Sequence, residues 1–341
     1  MKRKIRGQWV LVLVLILAAS LFFAGCGGKK APDSSSDKAP EKPSFKVAIL
    51  LPGPISDQGW NASAYQGLMR IKDELGAEVA YSEQVAASDF EEVFRGYAME
   101  GYNLIFGHGF QFGEPALKVA PEFPDTKFII TSTNITQEPN VGSILNDSLQ
   151  QGFLAGVVAG LMTESNYVGS VGGMEIPSII AFQEGFLLGV KYVNPEAKAV
   201  IPYTGNFYDA AQAKEMAIAM INEGADIITH DADKAGLGVI EAGKEYGIPT
   251  IGAIGDQHSL SPETVVTSAL NDMAMALVTV AKLVQEGKFS PKNYVMGVAE
   301  GCVGLAPYYS WEDKLDKEIK DKIAQIVKDI ETGKLDVSSL K

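Results

Sequence analysis

From Phe45 onward the chain alternates short apolar runs with stretches of helical spacing, and this alternation limits the fold more than any other feature. Candidate strands lie at 46–51, 78–81, 103–107, 127–131, 141–145, 167–172, 197–201, 226–230, 249–253, 264–268 and 294–298. Candidate helices lie at 61–75, 89–100, 114–121, 148–162, 178–192, 209–223, 237–246, 271–286 and 316–331. Repeated β-α-β-α predicts mostly parallel sheets with helices on both faces, an α/β class. About ten strands exceed one comfortable sheet, so two similar lobes are expected. Gly152, Gly156 and Gly160 recur at spacing four on one helix near the expected boundary, which permits close helix packing.

The stretch Val47 to Asn61 shows the unit in detail. Val47 to Leu51 is an unbroken apolar run, as in a strand covered on both faces. Pro52, Gly53 and Pro54 end it. Ala64, Leu68, Ile71 and Leu75 then mark one face of a helix, with Gly76 placed to end it. In open α/β sheets ligands bind where a strand hands over to a helix. Trp60 sits at that handover among Ser56, Asp57, Gln58 and Asn61, a set suited to a flat polar ring. The alternative is that Trp60 is core and Asp57 a helix cap.

Other strand ends carry further candidates. Gly107 to Pro115 reads as a ligand loop presenting His108 and Glu114, with helix capping by Glu114 as the alternative. Its glycine spacing fails as a dinucleotide fingerprint, and no acid follows the next strand. Gly169 to Pro177 leads to Phe182, a second aromatic that can face Trp60 across a cleft or lie in the core. His230 and Asp231 follow another strand, and Asp256 and Gln257 another. His108, His230 and His258 lack ligand spacing, so no metal site and no cofactor is expected. No GxSxG, Walker A or HExxH pattern occurs, which argues against an enzyme.

Residues 1–25 have a basic start and an apolar run from Trp9 to Ala24, the form of a secretory signal. Leu21-Phe22-Phe23-Ala24-Gly25-Cys26 resembles a bacterial lipoprotein box, with Phe23 where Leu is commoner, so Cys26 is the expected lipidation site. Residues 26–44 read as a flexible tether. The expected place is the extracytoplasmic face of the cell membrane, held by the lipid. Residues 1–25 hold four bases and no acid, so the rest carries −17 against −13 for the whole chain. Such acidity argues against nucleic acid as a partner. Cys302 reads as a small buried apolar residue.

Taken together these stretches resemble the basic membrane protein family, substrate-binding lipoproteins of ABC importers that include purine nucleoside receptors. The resemblance covers residues 46 to about 305. It rests on Ser56 to Asn61, Gln151 to Gly156, Gly172 to Pro177 with Phe182, Gly185 and Phe186, Gly224 to Asp226, Gly236 to Val239, and Gly255 to Gln257. It implies a type I periplasmic binding protein fold: two Rossmann-like lobes, a hinge of three crossings and a ligand cleft between the lobes. The expected division is 45–148 with 254–286 for lobe 1, and 149–253 with 287–341 for lobe 2.

The resemblance also implies roles. Trp60 stands where a Phe stacks on the base, Asp57 where an Asn or Asp contacts it, Glu114 where an Asp bonds it, and Phe182 where a second aromatic stacks. The implied partners are a small purine-class ligand and a permease–ATPase complex, and a monomer is usual. Two departures stand out. Ile254 replaces an Asp expected to hold ribose hydroxyls, and Asn271 replaces a Lys. Both favour a free base over a nucleoside. An extracytoplasmic nucleoside-processing enzyme using Asp57, Glu114 or Asp231 as base, and a sensor for a membrane receptor, are the alternatives.

Overall fold

The computed structural model describes residues 44–56 and 59–341. The expected signal, the lipidation site Cys26, residues 26–43 of the tether, and Asp57 lie outside the described residues. Among those described, no helix is long and apolar enough to cross a membrane.

Two six-stranded sheets share one plan. The first has β1 (Lys46–Leu50), β2 (Glu78–Ser82), β3 (Leu104–Gly107), β4 (Lys127–Thr131), β5 (Val141–Asn146) and β11 (Asn293–Met296). Its order is β11-β5-β4-β3-β1-β2, and every pairing is parallel. The second has β6 (Tyr167–Gly172), β7 (Lys198–Val200), β8 (Ile227–Asp231), β9 (Thr250–Ile254), β10 (Val265–Asn271) and β12 (Val303–Leu305). Its order is β12-β10-β9-β8-β6-β7, with only β12 antiparallel. In each sheet the chain starts one strand in from an edge, steps out to that edge, then returns to build the other side. Strand order therefore reverses beside β1 in one lobe and beside β6 in the other, and ligands bind at such points.

Both faces of each sheet are covered, which explains the unbroken apolar runs. Val47 and Ile49 enter one core, under α1 (Trp60–Leu75) and α8 (Met273–Gln285). Ala48 and Leu50 enter the opposite core, under α2 (Phe90–Met99) and α3 (Gly113–Val119). In the second lobe α4 (Ser148–Met162), α5 (Pro177–Val193) and α9 (Lys317–Glu331) share a core with Val168 and Ile227. The other face carries α6 (Ala210–Asn222) and α7 (Leu237–Tyr246) over Val171 and Ile228. Helix α1 ends at Gly76 with φ 66°, as its position predicts.

The glycines of α4 meet α5 backbone to backbone. A Cβ on Gly152 would lie 1.9 Å from the Phe182 carbonyl oxygen, and one on Gly156 2.1 Å from that of Phe186. Gly185 and Gly189 of α5 reciprocate against Leu149 and Phe153.

The sheets divide the chain differently from the expected lobes. Segment 254–271 stays in the second sheet, because β10 pairs with β9. Segment 293–296 belongs to the first, because β11 pairs with β5. The crossings therefore run from β5 to α4, from β10 to α8, and from β11 to β12. The first two share a tripeptide: Leu145-Asn146-Asp147 and Leu270-Asn271-Asp272. Each Asp caps its helix, Asp147 accepting from Gln150 N and Asp272 from Met275 N. The two Asn side chains bond each other, and Asn271 also donates to Gln151 Oε1 at 3.3 Å. The third crossing is tied to both, since Asp147 N donates to Met296 O and Asp272 N to Cys302 O. Thus the carboxyl ends of β5 and β10 touch, and the carboxyl edges of the two sheets meet at this hinge. Cys302 lies here fully buried, its thiol pushed up to about 12 chiefly by burial.

Candidate functional site

The first lobe offers an aromatic platform where its strand order reverses. Trp60 opens α1 after β1, and His108 follows β3. Their rings stack at 4.2 Å and 24°. His108 Nε2 donates to the Trp60 carbonyl at 3.1 Å, so Nδ1 accepts from Thr131 Oγ1 at 3.1 Å. Thr131 Oγ1 accepts in turn from Gly109 N at 2.9 Å. This chain fixes the imidazole tautomer and holds it flat behind the indole. His108 is fully buried, so it supports Trp60 and is not presented to a ligand. Asn61 is also nine-tenths buried, and its Oδ1 accepts from Gly53 N at 3.2 Å, closing the β1–α1 loop. Glu114 is exposed in the first turn of α3 and makes no cap.

The second lobe contributes different chemistry at its own reversal, between β6 and β8. Asp231 ends β8, is 5% exposed, and accepts no hydrogen bond through its carboxyl from any described residue. Burial first and Asp233 second push it up to about 8. Its neighbour His230 points to the opposite face. There its Nε2 donates to Gln257 Oε1 at 3.0 Å, and burial lowers it to about 4.

Two sequence expectations change here. Phe182 lies fully buried in the core under α4 and α5, away from any cleft surface. The reason is the glycine contact: Gly152 brings α4 onto the Phe182 backbone and closes that side of α5. Asp256 is exposed, with its oxygens taken by His258 N at 3.0 Å and Tyr309 Oη at 2.6 Å.

The aromatic that does reach this edge is Phe207, in the loop before α6. A Cβ on Gly173 would lie 2.5 Å from its ring, with Ala232 beside it, and Phe207 is only partly buried. Tyr203 covers Gly172 in the same way. The Gly172-Gly173 pair at a strand end was the available signal, since adjacent glycines there leave room for rings. Ile254 ends β9 at the same edge with φ 71°. A β-branched residue rarely adopts this conformation, and such strain costs on the order of 1–3 kcal/mol. Among the described residues no group of three His, Cys, Asp or Glu comes together to hold a metal ion.

Residues 44–336 match the profile of the Bmp family, described as ABC transporter substrate-binding protein PnrA-like. The chain belongs to the Bmp family. It is 29% identical to the ABC transporter nucleoside-binding protein BmpA of Lactococcus lactis subsp. cremoris, over 97% of this chain and 98% of that one. It is 29% identical to a purine-binding protein of Brucella abortus, over 83% and 81%. Among solved structures, the ABC transporter solute-binding protein of Conexibacter woesei matches at 28% identity and TM-score 0.72, over 86% and 98%. The two sheets with their three crossings are therefore the two-lobed type I periplasmic binding protein fold. The chain is an ABC transporter substrate-binding protein of this family.

Proposed function

We propose that this Bmp-family protein binds a flat purine-class heterocycle between its lobes. Closed on the ligand, it presents itself to a membrane permease and its ATPase. The observation that carries this reading is the Trp60–His108 stack at the first reversal point, a rigid aromatic face where ligands of such sheets bind. Phe207 supplies the second ring from the other lobe, and Asp231 the polar contact. Glu114, in the first turn of α3 after the His108 loop, and Asp57, three residues before Trp60 in sequence, are the further candidates. The printed names of the relatives from Lactococcus and Brucella, nucleoside-binding and purine-binding, point to the same chemistry. The protein acts by binding, as a monomer. Cys26 carries a lipid that holds it at the extracytoplasmic face of the membrane.

The ligand is a free base. Ile254 brings an apolar side chain to the carboxyl edge where an acid would hold ribose hydroxyls. Asn271, where a Lys would reach the ligand, instead ties the two lobes together. A melting series with adenine, guanine, adenosine, guanosine, inosine and riboflavin tests this. A base at 100 times its Kd adds about 2.7 kcal/mol of stability. Larger shifts with nucleosides would overturn the free-base reading, and no shift with any of the six would overturn the purine class.

A further inference from the structure

Asp231 has no counterpart on the first lobe. Side chains alternate along β8, so Asp231 shares a face with Ile227 and Thr229, while His230 shares the other with Ile228. The elements packed around it bring no counter-charge. β9 and α4 contain no titratable residue, and β6 only Tyr167. Glu184, Lys191 and Tyr192 of α5 are exposed, as are Glu241, Lys244, Glu245 and Tyr246 of α7 and Lys234 before it. The charged neighbour is Asp233, another acid. A buried carboxylate without donors is the costly form of this group, and the neutral acid the cheaper one.

A second observation concerns the same face. Ser170 of β6 pairs in register with Thr229, so it lies on the side of Asp231. Gln183 shares the sheet-facing side of α5 with Ile179, Phe186 and Val190. Ser170 Oγ and both amide atoms of Gln183 are buried with no hydrogen-bond partner. Thr229 Oγ1 donates to Ile251 O at 2.8 Å, but Ser170 and Gln183 on this side of the second sheet are not satisfied by any described residue, in contrast to the groups behind Trp60.

We infer that Asp231 is a specificity-determining residue: it reads, with its O–H and C=O, a ligand edge where a ring-nitrogen acceptor lies beside an amino donor, as in a 6-aminopurine. This rests on the purine reading above. The acid O–H donates to the ring nitrogen, and the C=O accepts from the amino N–H. An edge with two donors, such as N1–H and the 2-amino group of guanine, pairs with an ionised carboxylate instead, and so works against the resting form of Asp231. An Asn side chain offers the same donor and acceptor as the neutral acid, without the titration.

Isothermal titration of adenine and guanine at pH 6.5 and pH 9.0 tests this on the purified protein, Asp231→Asn and Asp231→Ala. The expected result is adenine bound at least tenfold tighter than guanine at pH 6.5. Adenine affinity then falls as pH rises past about 8, by up to about tenfold per unit. Asp231→Asn should show the same adenine affinity at both pH values, and Asp231→Ala should lose tenfold or more at pH 6.5. Guanine preference at pH 6.5, or Asp231→Asn losing as much as Asp231→Ala, would overturn the inference. Equal binding of both bases, unaffected by Asp231→Ala, would overturn it while leaving the purine reading intact. Binding of no purine would overturn both. A carbon-13 titration of the ligand-free protein needs no variant, and an Asp231 carboxyl already ionised at pH 6 would be decisive against it.

Discussion

The two reversal points have the same topology and opposite states of completion. At the first, each polar atom behind the platform has a partner: Trp60 O, both imidazole nitrogens and Thr131 Oγ1 form one chain with Gly109 N. At the second, Ser170 Oγ and both amide atoms of Gln183 are buried with no partner among the described residues, and the Asp231 carboxyl is buried beside another acid, Asp233. A satisfied network rigidifies its surroundings, whereas an unsatisfied one costs stability until something completes it. The comparison separates two jobs. The first lobe holds a rigid aromatic face, and the second keeps hydrogen-bonding capacity in reserve, which under the proposed function makes it the lobe that discriminates.

The largest effect should come from completing the second lobe by mutation. The Asp231 carboxyl is held near 8, against an ordinary value of 3.8. Above 3.8 the unfolded chain gives up this proton and the folded one keeps it, so stability falls as pH rises towards 8. Asp231→Asn removes that loss. At pH 8 it should raise the ligand-free unfolding free energy by on the order of 2–4 kcal/mol, allowing for the unpaired amide, and at pH 4 by almost nothing. Urea unfolding at the two pH values measures this. The matched change in the first lobe, His108→Ala, should go the other way by about 1–3 kcal/mol, since it leaves the Thr131 hydroxyl proton without its acceptor and opens a cavity. Two variants with the same sign would end the contrast between the lobes.

Next in size is the platform itself. Trp60→Ala should weaken base binding by about 1–3 kcal/mol, the range for one aromatic–base stack, with little change in stability because the indole is only partly buried. Trp60→Phe should keep most of the affinity. Titration of adenine into both variants checks the order, and an undiminished affinity in Trp60→Ala would remove the first lobe from the site.

Much of this was legible in the sequence, and the exceptions have a common cause. Apolar runs and helix periodicity gave the strands and helices, because parallel strands covered on both faces leave an unmistakable signal. Strand β12 was missed because it is three residues long with Gly304 at its centre. Lobe membership of β10 and β11 was misassigned because pairing across a crossing is a tertiary fact. The repeated Leu-Asn-Asp at two strand-to-helix junctions was the local clue to it. The place of Trp60 at the β1-to-α1 handover was readable from the apolar run and the helix spacing that follows it. Phe182 was read as the second aromatic and Phe207 was missed, since both follow strands. What decides between them is which helix face the glycines of α4 close.

The smallest expected effect concerns Ile254, and it tests whether discrimination stays in the second lobe when its edge is altered. Ile254→Asp places an acid at the strained carboxyl end of β9. Asp tolerates φ near 71° better than a β-branched residue, so the backbone relaxes by up to about 1 kcal/mol. The new carboxylate adds acceptors at the edge where ribose hydroxyls would need them. Adenosine affinity should rise relative to adenine by a few-fold to tenfold, a matter of about 1 kcal/mol for a partly exposed hydrogen bond. Competition of adenosine against bound adenine reads this ratio directly. If the ratio is unmoved while stability rises, the Ile254 side chain stands outside the sugar's reach, and the preference for a base comes from Asp231 and Phe207 alone.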